Sequence, residues 1–146
     1  MQQQEQNELV QYASVSQAQL RILVADDSRV MQALLAQLLN RLGHEVTIVA
    51  TGLAALELLE TQRFDLIFMD IEMPVMNGLE TTIAIRRRDG VGGWRTPIIA
   101  MTAHAAGGFE QRCLDIGMDG YVTKPVEPKE LLTLIRRFTD GKLRPL

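Results

Sequence analysis

The chain has 146 residues, 47% hydrophobic and 23% charged, with a formal net charge of -3, the proportions of one globular domain with room for a real core. No apolar run approaches the roughly 20 residues that a bilayer span needs, and the acidic balance argues against direct nucleic-acid binding. The single cysteine excludes an intramolecular disulfide, and the Gln-rich start lacks a basic and then apolar leader pattern, so a cytoplasmic setting without membrane contact is expected.

Residues 1–19 are polar, with Leu9, Val10, Tyr12 and Val15 too sparse for a core-facing stripe, and are expected to be a tail or linker. Leu20 to Ala25 is an aliphatic strand ending in Asp26-Asp27. Ser28 then caps a helix carrying Met31, Leu34, Leu35, Leu38 and Leu42 at helical spacing. Gly43 ends that helix, Glu45 to Ala50 alternates around Val46 and Ile48, and Thr51 caps a second helix bearing Leu53, Leu56 and Leu59.

Phe64 to Asp70 is the most informative stretch. It is a short strand, apolar on both faces, that delivers one carboxylate to its end and turns at Met73-Pro74. Asn77-Gly78 starts a third helix, Leu79 to about Arg88, backed by Ile83, with Arg86-Arg87-Arg88 as a solvated end favoured by the helix dipole. Asp89 to Thr96 is expected to be a glycine-rich loop in which Trp94 covers the sheet's edge, and Pro97 to Met101 a buried strand that delivers Thr102.

Gly107 to Ile116 is the least secure helix because of its glycines, with Cys113 as packing. Gly120 to Thr123 is a fifth strand ending at Lys124-Pro125, and Pro128 opens a last helix with Leu131, Leu134, Ile135 and Phe138 on one face. The folded unit is thus expected over residues 20–140, with residues 141–146 as a short C-terminal tail.

Strands and helices in strict alternation, joined by short connections, imply an α/β fold: a doubly wound sheet of five parallel strands with five helices on both faces. The expected order, 2-1-3-4-5, is flavodoxin-like. It places strands one and three side by side at the reversal point, so that Asp26, Asp27 and Asp70 share a crevice with Thr102 and Lys124 at its rim.

Three converging carboxylates repel one another, and a hard divalent cation relieves that repulsion, Mg²⁺ being favoured where waters complete an octahedron. With an ammonium and a hydroxyl placed opposite the metal, the site suits phosphoryl transfer to Asp70, where positioning and charge neutralisation do most of the catalysis. No glycine-rich loop ending in Lys-Ser or Lys-Thr is present, so the donor is not expected to be a nucleotide bound by this chain. Alone, a strand-end aspartate more often caps a turn; it is the constellation that argues for chemistry.

From about Leu20 to Phe138 the sequence resembles the response-regulator receiver domains of two-component signalling. The resemblance rests on Asp26-Asp27, Asp70, Met73-Pro74, Gly78, Thr102, and Tyr121 with Lys124-Pro125. It implies that Asp70 is the phosphoacceptor, served by the phosphohistidine of a histidine kinase. It implies that Asp27, Asp70 and the Glu72 main-chain carbonyl hold Mg²⁺, with Asp26 acting through water, while Thr102 and Lys124 hold phosphoryl oxygens. Thr102 and Tyr121 would form the switch toward the face of helix four, strand five and helix five. Lys124-Pro125 would be cis, which proline makes accessible.

Met101 to Ala105 and Gly117 to Tyr121 are most similar to receivers of hybrid sensor histidine kinases, whose next acceptor is a histidine phosphotransfer protein. The first acidic turn departs from that subgroup: many of its members have Glu-Asp-Asn where this chain has Asp26-Asp27-Ser28. His44-Glu45 follows a helix-ending glycine and precedes a strand, so it is not a kinase phosphoacceptor box, and neither a kinase motif nor an output domain is visible. Such a module catalyses only its own phosphorylation and dephosphorylation, and switches conformation to relay a signal. Two alternatives stay open. One is an interaction module of the same fold that is never phosphorylated; the other is a Mg²⁺-dependent phosphohydrolase with an aspartyl-phosphate intermediate, less favoured because Glu72 stands where a second Asp is expected and no cap domain defines a substrate pocket.

Overall fold

The computed structural model describes residues 19–139; the expected tails, residues 1–19 and 141–146, lie outside the described residues except for residue 19, as does residue 140 of the expected folded unit. Strand and helix alternate throughout: β1 (Arg21–Ala25), α1 (Arg29–Arg41), β2 (Glu45–Val49), α2 (Gly52–Leu59), β3 (Leu66–Asp70), α3 (Gly78–Gly92), β4 (Ile98–Thr102), α4 (Phe109–Ile116), β5 (Gly120–Thr123) and α5 (Pro128–Thr139). Every strand pairing is parallel and the order is β2-β1-β3-β4-β5, as expected.

Burial follows from place in the sheet. β3 and β4 are buried at every position, whereas the edge strand β2 has no fully buried residue, because helices cover central strands on both faces. Alternate side chains serve two cores. Ile22, Val24, Phe68 and Met101 pack with Leu35 and Leu39 of α1 and Leu131 and Ile135 of α5. Leu23, Ile67, Met69 and Ala100 pack on the other face with Ala55 and Leu56 of α2, Ile85 of α3 and Cys113 of α4.

Three of the helix starts are set by side-chain caps, each worth about 1 kcal/mol. Ser28 accepts from the Met31 N–H and Thr51 from the Ala54 N–H. At Asn77 a full capping box forms, with Asn77 Oδ1 accepting from the Glu80 N–H at 2.8 Å and Glu80 Oε1 from the Asn77 N–H at 3.1 Å. The Lys124-Pro125 peptide is cis.

Some expectations are corrected. α3 does not end near Arg88 but runs to Gly92, so residues 89–92 are helical rather than loop, and Gly93 caps the helix at φ +75°. Arg86 is not a solvated helix end. Its side chain is 14% exposed, with Nε donating to Gly117 O at 2.7 Å, Nη1 to Asp89 Oδ2 at 2.7 Å and Thr96 O at 2.8 Å, and Nη2 to Asp119 Oδ2 at 2.9 Å. These partners, on α3 itself, the loop before β4 and the turn before β5, hold the last turns of α3 helical.

Ile83 is 39% exposed; Thr81, Thr82 and Ile85 are the buried face of α3. Leu53 likewise points outward, and Gly52 is buried at the α2–α3 contact, where a Cβ would overlap Thr81 Oγ1. α4 begins at Phe109, two residues later than expected, after Gly108 in a left-handed conformation. Trp94 is held by its own loop, Nε1 donating to Thr96 Oγ1 at 2.8 Å.

Candidate functional site

β1 and β3 end side by side, and each leads to a buried carboxylate. Asp26 follows β1, is inaccessible to solvent, and stays in the ladder through its N–H to Val49 O. Asp70 closes β3 at 2% exposure, next to Met101 of β4. Behind it, the Gly78 N–H donates to Ile71 O at 3.0 Å, and a Cβ on Gly78 would overlap the Asp70 carbonyl oxygen. Only glycine lets α3 start this close to the strand end.

Lys124, just past β5, reaches beyond the rim into the crevice. Its Nζ lies 2.9 Å from Asp26 Oδ2 and 3.1 Å from Asp70 Oδ1. Asp70 Oδ1 also accepts from the Glu72 N–H at 3.1 Å, while the Glu72 side chain is exposed. Asp26 is held on every side: Oδ1 accepts from the Ser28 N–H at 2.8 Å, and its carbonyl from Gln32 Nε2 at 2.6 Å. Asp27 is exposed at the mouth, yet carboxylate oxygens of Asp26, Asp27 and Asp70 all lie within 4.8 Å of one another.

The charges are unbalanced. Burial, and then the charge of Asp26, push the Asp70 carboxyl above its usual range, and the Glu72 N–H and Lys124 offset this only partly. Burial also works against the Lys124 ammonium, but its hydrogen bonds and charge interactions with Asp26 and Asp70 outweigh that and raise its pKa. Lys124 therefore stays protonated. Three carboxylates against one ammonium leave an excess of negative charge in a ring of oxygen donors, a donor set that fits a hard divalent cation.

Thr102 ends β4 at 2% exposure, and its hydroxyl is engaged by its own loop, donating to His104 O and accepting from the His104 N–H, both at 3.1 Å. The Lys124 N–H donates to Thr102 O at 2.7 Å, tying the two strand ends together. Tyr121 is half-buried and meets Phe109, the first residue of α4, edge to face at 5.6 Å. The structure thus gathers Asp26, Asp27, Asp70 and Lys124 into one group, with Glu72 touching it by its N–H. Thr102 adjoins it across the sheet, and Tyr121 lies one step away against α4.

Sequence reasoning missed Gln32 and Phe109. Gln32 looked like one polar position of an amphipathic helix. Phe109 carried a signal, as the only aromatic beside the glycines that open α4, but nothing in the sequence paired it with Tyr121.

Residues 22–136 match the response regulator receiver domain. The chain belongs to that family. It is 42% identical over 120 residues to hybrid signal transduction histidine kinase I of Dictyostelium discoideum, a match that covers 79% of this chain and only 7% of that protein. Among solved structures, it is similar to the receiver domain of sensor histidine kinase PA1611 from Pseudomonas aeruginosa, which has a magnesium ion coordinated in its active site cleft. That match has 39% identity and a TM-score of 0.76, and covers 84% of this chain and 99% of the other. It also matches, at 25% identity and a TM-score of 0.81, over 86% of this chain and 92% of the other, a co-crystal structure of the Saccharomyces cerevisiae histidine phosphotransfer signaling protein Ypd1 and the receiver domain of its downstream response regulator Ssk1. As expected from the Met101–Ala105 and Gly117–Tyr121 runs, the resemblance extends to receivers of hybrid kinases. Within this receiver domain no described helix is long and apolar enough to cross a membrane.

Proposed function

We propose that residues 20–140 are a phosphoacceptor unit in which Asp70 takes a phosphoryl group from the phosphohistidine of a histidine kinase, in a Mg²⁺-dependent reaction, and the acyl phosphate switches the domain to relay a two-component signal. The observation that carries this reading is Lys124 Nζ set between Asp26 and Asp70, at 2.9 and 3.1 Å, in a crevice where three aspartates converge.

In the forward step an Asp70 carboxylate oxygen forms a bond to phosphorus as the histidine N–P bond breaks. The imidazole leaves with the electron pair and takes a proton from solvent. Lys124, already charged beside Asp70, moves with the incoming phosphoryl oxygens and offsets their charge. Thr102 exchanges its two backbone contacts with His104 for a phosphoryl oxygen, and Tyr121 follows into the space the hydroxyl leaves, passing the change to α4 through Phe109.

When bound, a divalent cation supplies positive charge opposite Lys124. Asp27, Asp70 and the Glu72 main-chain carbonyl would hold it, and Asp26 would act through water because its Oδ1 already accepts from the Ser28 N–H and its Oδ2 is paired with the Lys124 ammonium. The domain acts on no external metabolite; it catalyses its own phosphorylation and, by attack of water on the acyl phosphate, its own dephosphorylation. The Ypd1 co-crystal structure supports a histidine phosphotransfer protein as a second partner, and the hybrid kinase relatives support a place in a cytoplasmic phosphorelay.

Intact-protein mass after incubation with a small acyl-phosphate donor tests the reading. One added phosphoryl group that requires both Mg²⁺ and Asp70, and is absent in Asp70→Asn, is expected. No adduct under conditions that label a known receiver overturns it in favour of an interaction module that works without phosphorylation.

A further inference from the structure

At the end of the sheet opposite Asp70, the connection from α2 to β3, the last turns of α3 and the loop before β4 line a half-open cavity of about 260 Å³. Its floor is apolar, formed by Leu59 and by Ile85, which is 4% exposed. Trp94, the only tryptophan in the chain, forms one wall. The indole is held in orientation: its Nε1 donates to Thr96 Oγ1 at 2.8 Å, and that hydroxyl donates to Phe64 O at 3.1 Å.

The Arg63 guanidinium lies over this indole, 5.1 Å from the ring centroid. Among the described residues no carboxylate pairs with it. The two acids that line the cavity are already engaged, Asp89 with Arg86 at 2.7 Å and Glu60 with Arg88 at 3.6 Å. The cavity therefore sets three apolar side chains, Leu59, Ile85 and Trp94, in an otherwise polar lining beside the exposed Arg63 guanidinium, whose planar fork of donors matches a carboxylate in bidentate fashion.

We propose that this cavity binds a small planar organic carboxylate, with its carboxylate on Arg63 and its ring against Trp94 and Ile85. The volume lies just below the roughly 300–1,000 Å³ of sites for drug-sized ligands, which suits one ring or two fused rings. Glu60 and Asp89 in the wall disfavour a second negative charge on the ligand. An inorganic anion would leave the apolar floor uncovered.

The single tryptophan makes the test direct, because only one indole N–H resonance exists and it belongs to the cavity wall. The ¹⁵N-labelled full chain is titrated with 2-naphthoate, 2-naphthamide or inorganic phosphate, for wild type, Arg63→Gln, Arg63→Lys and Arg112→Gln, with retention of the dispersed backbone spectrum showing that each variant is folded. The expected result is a saturable shift with 2-naphthoate, half-complete below about 1 mM, and no response to the amide or to phosphate. Arg63→Gln weakens binding by about tenfold or more, Arg63→Lys by less, and Arg112→Gln, on exposed α4, not at all. No saturable shift, an equal response to the amide, a response to phosphate, or undiminished binding in Arg63→Gln each overturns the assignment. None of these readouts depends on Asp70 chemistry.

Discussion

Gly78 seats the first turn of α3 directly against the backbone of Asp70, with no room between them for a Cβ. Gly78→Ala is therefore expected to push the end of β3, lower stability by about 1–3 kcal/mol and slow acyl-phosphate labelling. Gly90, inside the same helix, has nothing within 4 Å of its Cβ position, so Gly90→Ala is expected to stabilise by about 0.5–1 kcal/mol. Urea unfolding of the two variants measures the difference in sign. Equal effects would show that close approach does not govern the Gly78 site.

Arg86 uses all three guanidinium nitrogens to bridge α3, the loop before β4 and the turn before β5. Asp119 also accepts from the Ile98 N–H at 2.8 Å, so the cluster fixes where β4 begins. Arg86→Met is expected to cost about 1–3 kcal/mol, since Asp89 and the Thr96 and Gly117 carbonyls lose this donor in a partly buried setting, while Asp119 keeps the Ile98 N–H and Arg95. Equilibrium unfolding checks this, and a loss below about 0.5 kcal/mol would place Arg86 among ordinary surface positions.

His44 is 3% exposed, and its Nδ1 accepts from the Leu20 N–H at 3.1 Å. Burial lowers its pKa below 6.5, only partly opposed by the charge of Asp65. The folded state thus binds this proton more weakly than the unfolded state. Its contribution is fully present above the unfolded-state pKa and is lost progressively as pH falls from that value through the lower folded-state pKa. Denaturant midpoints measured from pH 7.5 down to 5.5 should decline in wild type and decline less in His44→Gln. Parallel curves would remove His44 as the cause.

Lys124 and a cation in the crevice bring positive charge to the same aspartates. Lys124→Gln is therefore expected to tighten Mg²⁺ binding while slowing acyl-phosphate labelling of Asp70 by about 10²-fold or more, because the ammonium no longer follows the phosphoryl group. Mg²⁺ titration followed by NMR, together with labelling rates at saturating Mg²⁺, separates the two effects. Weaker Mg²⁺ binding in the variant would contradict the charge argument.

Much of this protein was decided by local pattern. Uniformly apolar β3 and β4, caps at Ser28, Thr51 and Asn77, and the regular alternation of strand and helix are short-range features, and they suffice for a parallel sheet in the order observed. Because a strand end is where this fold gathers polar groups, the same pattern placed Asp26, Asp27, Asp70, Thr102 and Lys124 near one crevice. Only the folded chain decided how they meet. Lys124 goes between two aspartates because it is the cation within reach of both, and Thr102 turns to His104. α3 outlasts its glycines because Arg86 finds Gly117 and Asp119, some 31 and 33 positions away. Side-chain partners so distant along the chain leave no periodic trace in it, since the energy that selects them exists only once the elements have packed.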